Sequence, residues 1–348
     1  MTDAPLIPAP RPLPDAPHLR WGVLGPGGIA DSFVGALAKR GTQTVTAVGS
    51  RALDRAEAFA AKHGIAGAEG SAEALVARDD VDIVYIASPH SSHRALAEIA
   101  LHAGKHVLIE KPITTTAEDA EAILSLARSQ GVLAMEAMWT RYLPQSDVVR
   151  HLLEDGAIGD VTFVGADFGF SLPAGTPADH RLLDPAAGGG ALLDAGVYPV
   201  SFVSSVLGAP QAVSVTGSLA STGVDETAHV VMPYQGALGV ATTSLRSTLP
   251  TRATVAGTGG LIEIGPGFLF GSTVTLSIPS AWGPDAATSS WRDDSFEGLH
   301  DGLALEADAA ARYVADGRTE SPLHPHAETV AIIAALESAV RQLGAAGV

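Results

Sequence analysis

The chain has 348 residues, 46% of them hydrophobic, with 21 basic against 38 acidic side chains for a formal charge of −17, and no cysteine. That length admits two domains, each with its own core. The missing cysteines exclude disulfides, and an acidic chain without a Lys/Arg-rich cluster lacks the footprint of a nucleic-acid binder. No apolar run is read as reaching the roughly 18 residues of a membrane span. The N-terminal MTDAPLIPAPRPLPDAPHLR lacks the basic-then-apolar order of a signal peptide, so cytoplasmic small-molecule chemistry is expected.

Residues 1–18 are rich in Pro and Ala without periodicity and are read as a flexible extension outside the fold. From Leu19 the pattern changes. LRWGVLG reads as a strand, GPGGIA as a glycine turn, and DSFVGALAKRG as an amphipathic helix closed by Gly41. QTVTAVGS, ALDRAEAFAAKHG, VDIVYIAS, HRALAEIALHAG, KHVLIEKP, TAEDAEAILSLARSQG and VLAMEAM continue the alternation of strand and helix. Such alternation predicts an α/β Rossmann domain with a doubly wound parallel sheet, placed at 19–138.

After about residue 160 the runs DVTFVGADFGF, QAVSVTGSLA, AHVVMPY, GALGVATTSL, TRATVAGT and GLIEIG read as strands separated by turn residues. The region 139–348 is therefore expected to be an α+β domain for substrate binding and oligomerisation, built on an open, mostly antiparallel sheet. Its helical exceptions are GGGALLDAGVYPV, HDGLALEADAAARYVADG and HAETVAIIAALESAVRQLG, and the last helix can pack back on the first domain. An open sheet face needs cover, which suggests a homodimer or homotetramer through that sheet.

Gly25, Gly27 and Ala30 form a G-x-G-x-x-A arrangement directly after a strand and opening a helix. Gly25 would turn tightly, Gly27 would admit a diphosphate to the backbone, and Ala30 would let the helix pack closely. Gly28 and Ile29 of the same turn go with them to the cofactor. At the end of the second strand, where an NAD site expects an acid, stand Ser50 and Arg51, with Arg55 one helical turn on. Two guanidiniums and a hydroxyl suit the 2′-phosphate of NADP, which is favoured over NAD. Asp54 sits past the strand end, where an acid stabilises a helix N-terminus.

Only four lysines occur, Lys39, Lys62, Lys105 and Lys111. Lys111 ends the fifth strand, where a side chain points into the crevice that holds ligands, and Pro112 restricts it to an extended conformation and can adopt the cis form. In GGGALLDAGVYPV the two polar residues after the glycines, Asp194 and Tyr198, are spaced to share a helix face. The glycines are read as room for nicotinamide and substrate, and Pro199 predicts a kink at Tyr198.

GPGGIA, the SR after the second strand, SPHSSH, AGKHVLIEKP, MEAMWTRYLP and GGGALLDAGVYPV occur in this order. Together they resemble the glucose-fructose oxidoreductase, inositol dehydrogenase and rhizopine catabolism (Gfo/Idh/MocA) family of NAD(P)-dependent oxidoreductases, strongly over Leu19 to Val200. The branch resembled is that of trans-dihydrodiol and NADP-dependent D-xylose dehydrogenases. The resemblance makes Lys111 the catalytic lysine and Asp194 the acid of its motif. Tyr198 stands where most members have His, a departure that puts assignments based on a His base in doubt. The resemblance also puts Ser88, Pro89 and His90 along the cofactor's ribose and diphosphate, Glu110 beside Lys111 in the cofactor set, and Trp139 and Arg141 near the nicotinamide.

Oxidising an alcohol needs a group that takes the hydroxyl proton as hydride leaves. Free Tyr and Lys titrate at about 10 and 10.4, and an ammonium near a phenol lowers the phenol. Tyr198 as proton-transfer group with Lys111 polarising the substrate oxygen is preferred, and the reverse stays open. Asp194 would orient the substrate hydroxyl, anchor Lys111, or serve as a helix cap or buried ion pair. Arg181 could reach substrate or pair with Asp184. His90, His93, His102 and His106 lack metal-ligand pairing, so no metal is expected and His93 is read as capping or packing its helix. The activity expected is NADP-dependent hydride transfer at a hydroxyl-bearing carbon of a cyclic polyol, a sugar such as D-xylose or a trans-dihydrodiol. The alternatives are an inositol or other sugar dehydrogenase, and a non-catalytic NADP-sensing regulator.

Overall fold

The computed structural model describes residues 6–280 and 286–346, so the first five residues of the extension lie outside the described residues. Two compact units are formed: one holds Pro14–Tyr142 and His300–Ile333, the other Met1–Leu13, Leu143–Leu299 and Ala334–Val348.

The first unit begins with β1 (Arg20–Leu24), α1 (Gly28–Arg40), β2 (Thr44–Gly49), α2 (Leu53–His63), β3 (Gly67–Glu69) and α3 (Ala72–Val76). It continues with β4 (Ile83–Ile86), α4 (His93–His102), β5 (His106–Glu110), α5 (Ala117–Gln130) and β6 (Ala134–Ala137). All strands pair in parallel, in the order β3-β2-β1-β4-β5-β6. The order reverses between β1 and β4, the switch point at which doubly wound sheets open a ligand crevice. Every residue of β4 and β6 is buried; β4 reads as a short continuous apolar run, and β6 departs from one only at Glu136. Phe33 of α1 stacks on Tyr85 of β4 at 3.9 Å and meets Trp21 edge-on at 5.4 Å, filling the core beneath the crevice.

The second unit contains α6 (Pro144–Glu154), β7 (Val161–Gly169), α7 (Val197–Leu207), β8 (Ser214–Leu219), β9 (Asp225–Tyr234), β10 (Ala237–Ser244) and β11 (Ala253–Gly257). β12 (Leu261–Ile264), β13 (Val274–Pro279) and β14 (Ala286–Trp291) complete its sheet, ordered β14-β13-β12-β11-β7-β10-β9-β8. Only β7 and β10 pair in parallel, so the mostly antiparallel sheet expected from the turn-punctuated runs is present. α7 packs on β7 and β10, covering one face. On these two strands Phe163 and Leu238 are register partners and stay 36% and 40% exposed. α8 (Leu303–Ala315) belongs to the first unit, and α9 (His326–Ala346) runs from the first unit into the second.

Two expectations need correction. Pro185–Leu207 is a helical stretch long and apolar enough to cross a membrane by composition, but 78% of its apolar window is buried inside the protein, which makes it a core element. The irregularity expected at Tyr198 lies upstream. Leu192–Gly196 form a π-helical turn, and Tyr198 sits in regular helix at the start of α7. A proline ring clashes with the carbonyl four residues back in an α-helix. A π turn directly ahead of Pro199 is a widening of the kind that accommodates the ring, and the helix continues through it.

The described part of the extension is tied down. Asp147 on α6 accepts hydrogen bonds from the Arg11 backbone and Nη2, both at 2.6 Å, and Glu154 accepts from Arg11 Nη1 at 3.0 Å. Within the first unit, the Pro14 and Pro17 carbonyls accept from Arg312 and Gln43.

Candidate active site

At the switch point, Gly25 takes φ 88°, and a Cβ there would lie 2.8 Å from the Ser88 nitrogen. The turn after β1 is thus pressed against the loop after β4, and only glycine fits. Gly27 and Gly28 are different. Gly27 has φ −111°, and a Cβ on it would meet nothing nearer than the Gly25 oxygen at 4.0 Å; one on Gly28 would meet nothing within 4 Å. Neither packing nor backbone conformation demands glycine at these two positions. The open space faces the first turn of α1, which no side chain caps. Free N–H groups at a helix N-terminus with room in front of them suit a diphosphate, so these residues fit a dinucleotide. Ile29 is half-buried and Ala30 fully buried at the helix base.

At the end of β2, Ser50 donates its amide to the Glu69 carbonyl at 3.1 Å, and its Oγ accepts from Ala52 at 3.3 Å. Arg51 and Arg55 are exposed, and among the described residues neither guanidinium forms an ion pair. Asp54 accepts from the Arg55 amide at 2.9 Å, the helix-start role its position suggests.

Lys111 follows β5, half-buried, with a cis bond to Pro112. Buried side chains hold the backbone on both sides of it. Glu110 accepts from the Lys111 amide at 3.1 Å and from the Tyr85 hydroxyl, which assigns its carboxylate to shaping this turn. Glu136 on β6 accepts from the Ile113 amide at 2.7 Å and pairs with His324 Nε2 at 2.7 Å, both side chains being fully buried. The His93 ring lies between the Ser88 carbonyl, 2.8 Å from Nε2, and the Pro112 and Ile113 carbonyls, 3.1 and 3.2 Å from Nδ1. Burial pushes its imidazole below the ordinary value, opposed by these carbonyls and by Glu136. Glu306 on α8 is fully buried with neither carboxyl oxygen hydrogen-bonded; burial, with Glu110 and Glu136 adding like charge, pushes it well above the usual carboxylate range.

Ser88 and His90 lie half-buried on the loop after β4, where Ser92 Oγ donates to Ser88 Oγ at 2.9 Å. Trp139 is buried, its ring 6.1 Å from that of His300. Arg141 is also buried and gives its guanidinium to Glu328 at 2.7 Å and to the Leu323 carbonyl at 3.2 Å. These bonds tie the end of β6 to the start of α9 through the Arg141 side chain.

In the second unit Asp194 lies in the π turn, 7% exposed, with Arg181 Nη1 at 3.1 Å. The sequence left Arg181 between substrate and Asp184; its partner is Asp194, while Asp184 accepts from the Ala186 amide at 2.9 Å. Tyr198 is 9% exposed, its ring edge-on to Phe168 at 5.7 Å. Two of the preceding glycines, Gly189 and Gly190, do not make the ligand space expected of them. A Cβ on Gly189 would lie 2.8 Å from the Leu182 backbone, and one on Gly190, at φ 119°, would lie 2.3 Å from Asp225 Oδ1. Their space is filled by the chain itself. Asp225 on β9 accepts from the Leu192 amide at 2.6 Å, anchoring the start of the π turn, and burial pushes its carboxyl up to about 6.

Glu136 lies in MEAMWTRYLP without being singled out there, and His324, Glu306 and Asp225 carry no local spacing signal, since their partners or surroundings lie far along the chain. Among the described residues no three His, Asp or Glu gather as metal ligands.

The family profile described as "Oxidoreductase family, NAD-binding Rossmann fold" matches residues 19–138, and the GFO/IDH/MocA C-terminal domain matches residues 147–263. The chain is 36% identical over 343 residues to trans-1,2-dihydrobenzene-1,2-diol dehydrogenase of Mus musculus, covering 94% of this chain and 97% of that protein. It is 40% identical over 251 residues to the Homo sapiens protein of the same name, covering 71% and 74%. Among solved structures it is similar to a 3-ketoreductase from Actinomadura kijaniata in complex with NADP and TDP-benzene, with TM-score 0.77, 29% identity and coverage of 93% and 97%. It shares the fold of levoglucosan dehydrogenase in complex with NADH and levoglucosan, with TM-score 0.85 at 18% identity and coverage of 94% and 97%. With an NAD(P)-binding Rossmann unit and both family domains matched, the chain belongs to the Gfo/Idh/MocA family and is an oxidoreductase acting on hydroxyl or carbonyl groups.

Proposed function

We propose that the protein is an NADP-dependent dehydrogenase of cyclic vicinal diols, either pyranoses such as D-xylose or carbocyclic trans-dihydrodiols. The observation that carries the cofactor preference is the end of β2. Arg51 and Arg55 stand exposed without ion pairs among the described residues, and no acid occupies positions 50 and 51. A 2′-phosphate would supply the anion these guanidiniums lack. The diol class is supported by the names of the curated relatives and by the tyrosine at position 198.

When bound, the nicotinamide supplies the hydride acceptor or donor. The chain's own groups do the rest. The α1 N-terminus, with Gly27 and Gly28 leaving it open, receives the diphosphate. Lys111 polarises the substrate oxygen from a backbone that Glu110, Glu136 and His93 hold in place. Tyr198, as the phenolate that a nearby ammonium favours, takes the hydroxyl proton in oxidation, and as the phenol returns it in reduction. Asp194, steadied by Arg181, orients the reacting hydroxyl.

The test is reduction of NADP+ and NAD+ with a panel of pyranoses, inositols and trans-dihydrodiols. Turnover with NADP+ on members of the diol panel is expected. Tight NADPH binding with no turnover of any member would favour the regulator reading, and a preference for NAD+ would remove the argument from Arg51.

A further inference from the structure

His93 joins two segments that the chain keeps far apart in sequence. It opens α4, is fully buried, and has carbonyl oxygens against both ring nitrogens: Ser88 on the Nε2 side, Pro112 and Ile113 on the Nδ1 side. Ser88 heads the loop pressed against the Gly25 turn, and Pro112 and Ile113 follow Lys111 directly. The Ile113 amide is meanwhile held by Glu136. Both polar groups of Ile113 thus end on buried side chains instead of on a neighbouring strand.

We propose that His93 is a positioning residue for the reaction: its ring fixes the distance between the Ser88 loop and the Lys111–Ile113 backbone, and so sets where the Lys111 ammonium stands relative to the cofactor loop. This rests on the reading of Lys111 as a catalytic group. The physical ground is the steep dependence of rate on placement, since a shift of about 1 Å in a reacting group costs on the order of a hundredfold. A ring in which burial disfavours the imidazolium carries one N–H, donated either to the Ser88 carbonyl or to the Pro112 and Ile113 carbonyls; without the imidazole that bond and the packing of the ring between the two segments are lost together, and the segments are free to shift.

The test compares His93→Leu, which keeps bulk without donors, with His93→Asn and His93→Gln, whose amides place a donor near the Nδ1 and Nε2 positions respectively. Lys111→Ala serves as reference. His93→Leu is expected to lower kcat roughly ten- to a hundredfold per folded, NADPH-binding molecule while KM for the diol changes less than about threefold, with partial rescue by Asn or Gln. Amide exchange at Lys111 and Ile113, read by NMR, should accelerate in His93→Leu and slow again in the better amide variant, a readout that needs no turnover. Unchanged exchange at both amides in a folded His93→Leu would overturn the proposal, as would a wild-type kcat in that variant while Lys111→Ala is inactive. If Lys111→Ala itself keeps wild-type turnover, the catalytic reading of Lys111 fails instead, and the exchange result alone decides the clamp.

Discussion

Arg181 Nη1 lies 3.1 Å from Asp194 Oδ1, joining a guanidinium that is 56% exposed to a carboxylate that is 10% exposed in the π turn before α7. A pair with one wet partner contributes little to stability, typically below about 1 kcal/mol. Arg181→Ala should therefore leave Tm almost unchanged while lowering kcat/KM several-fold. Asp194→Asn should lower turnover on the order of a hundredfold if the carboxylate orients substrate. Steady-state kinetics beside thermal melts check both. Wild-type turnover in Asp194→Asn would leave Asp194 as a buried ion-pair partner and nothing more.

The glycines of the β1–α1 turn divide by cause, and alanine substitutions should show it. At Gly25, with φ 88° and the Ser88 nitrogen 2.8 Å from where a Cβ would stand, alanine should cost about 1–2 kcal/mol or more in stability. At Gly27, where a Cβ meets nothing nearer than 4.0 Å, alanine should leave the melting temperature unchanged and weaken NADPH binding at least about tenfold. Equal loss of stability at the two sites would contradict the view that Gly27 keeps space for a ligand.

The proposed preference for NADP rests on Arg51. Its replacement by alanine should weaken NADP+ binding by at least about tenfold, some 1.4 kcal/mol, and alter NAD+ affinity by far less. Titrations of both nucleotides against both proteins measure this, and matching losses would show that Arg51 does not read the 2′-phosphate.

Asp225 should leave a signature in stability against pH. Its folded-state value of about 6 lies above the ordinary 3.8, so the ionised form is the disfavoured one in the folded protein. The stability this group contributes is fully present below about pH 4 and is lost as pH rises through about 6. Asp225→Asn, which keeps an acceptor for the Leu192 amide, should gain stability relative to wild type across that interval and hold a constant advantage above it. With about 1.4 kcal/mol per unit, the gain is on the order of 3 kcal/mol. Melting curves of both proteins between pH 4 and 8 test this; a difference that does not change with pH would show that the carboxyl titrates normally.

The parallel sheet, the glycine turn and the placement of Lys111 were legible because each rests on local spacing: apolar runs of strand length, glycines at fixed offsets, a lysine at a strand end. β3 and α3, at three and five residues, are too short to carry a period. α6 does carry one, with Pro144 at its first position and Val148, Val149 and Leu152 buried. What sequence spacing could not supply was the identity of long-range partners. Gly190 looked like room for a ligand because nothing near it in sequence predicts that Asp225, on another strand, fills the space. Nothing near Arg141 in sequence predicts its ion pair with Glu328, which lies far along the chain. The turn at Leu192–Gly196 answers to the same Pro199 that placed the expected kink, but the strain is absorbed ahead of the proline and not at Tyr198.

NADP+ reduction with the best substrate of the diol panel, measured for wild type, Lys111→Ala and Tyr198→Phe alongside NADPH affinity on the same preparations, tests the proposed roles of Lys111 and Tyr198. Loss of at least about a hundredfold in turnover is expected in each variant, with affinity held within about threefold. Wild-type turnover in either variant, or loss of NADPH binding that accounts for the lost rate, would contradict them.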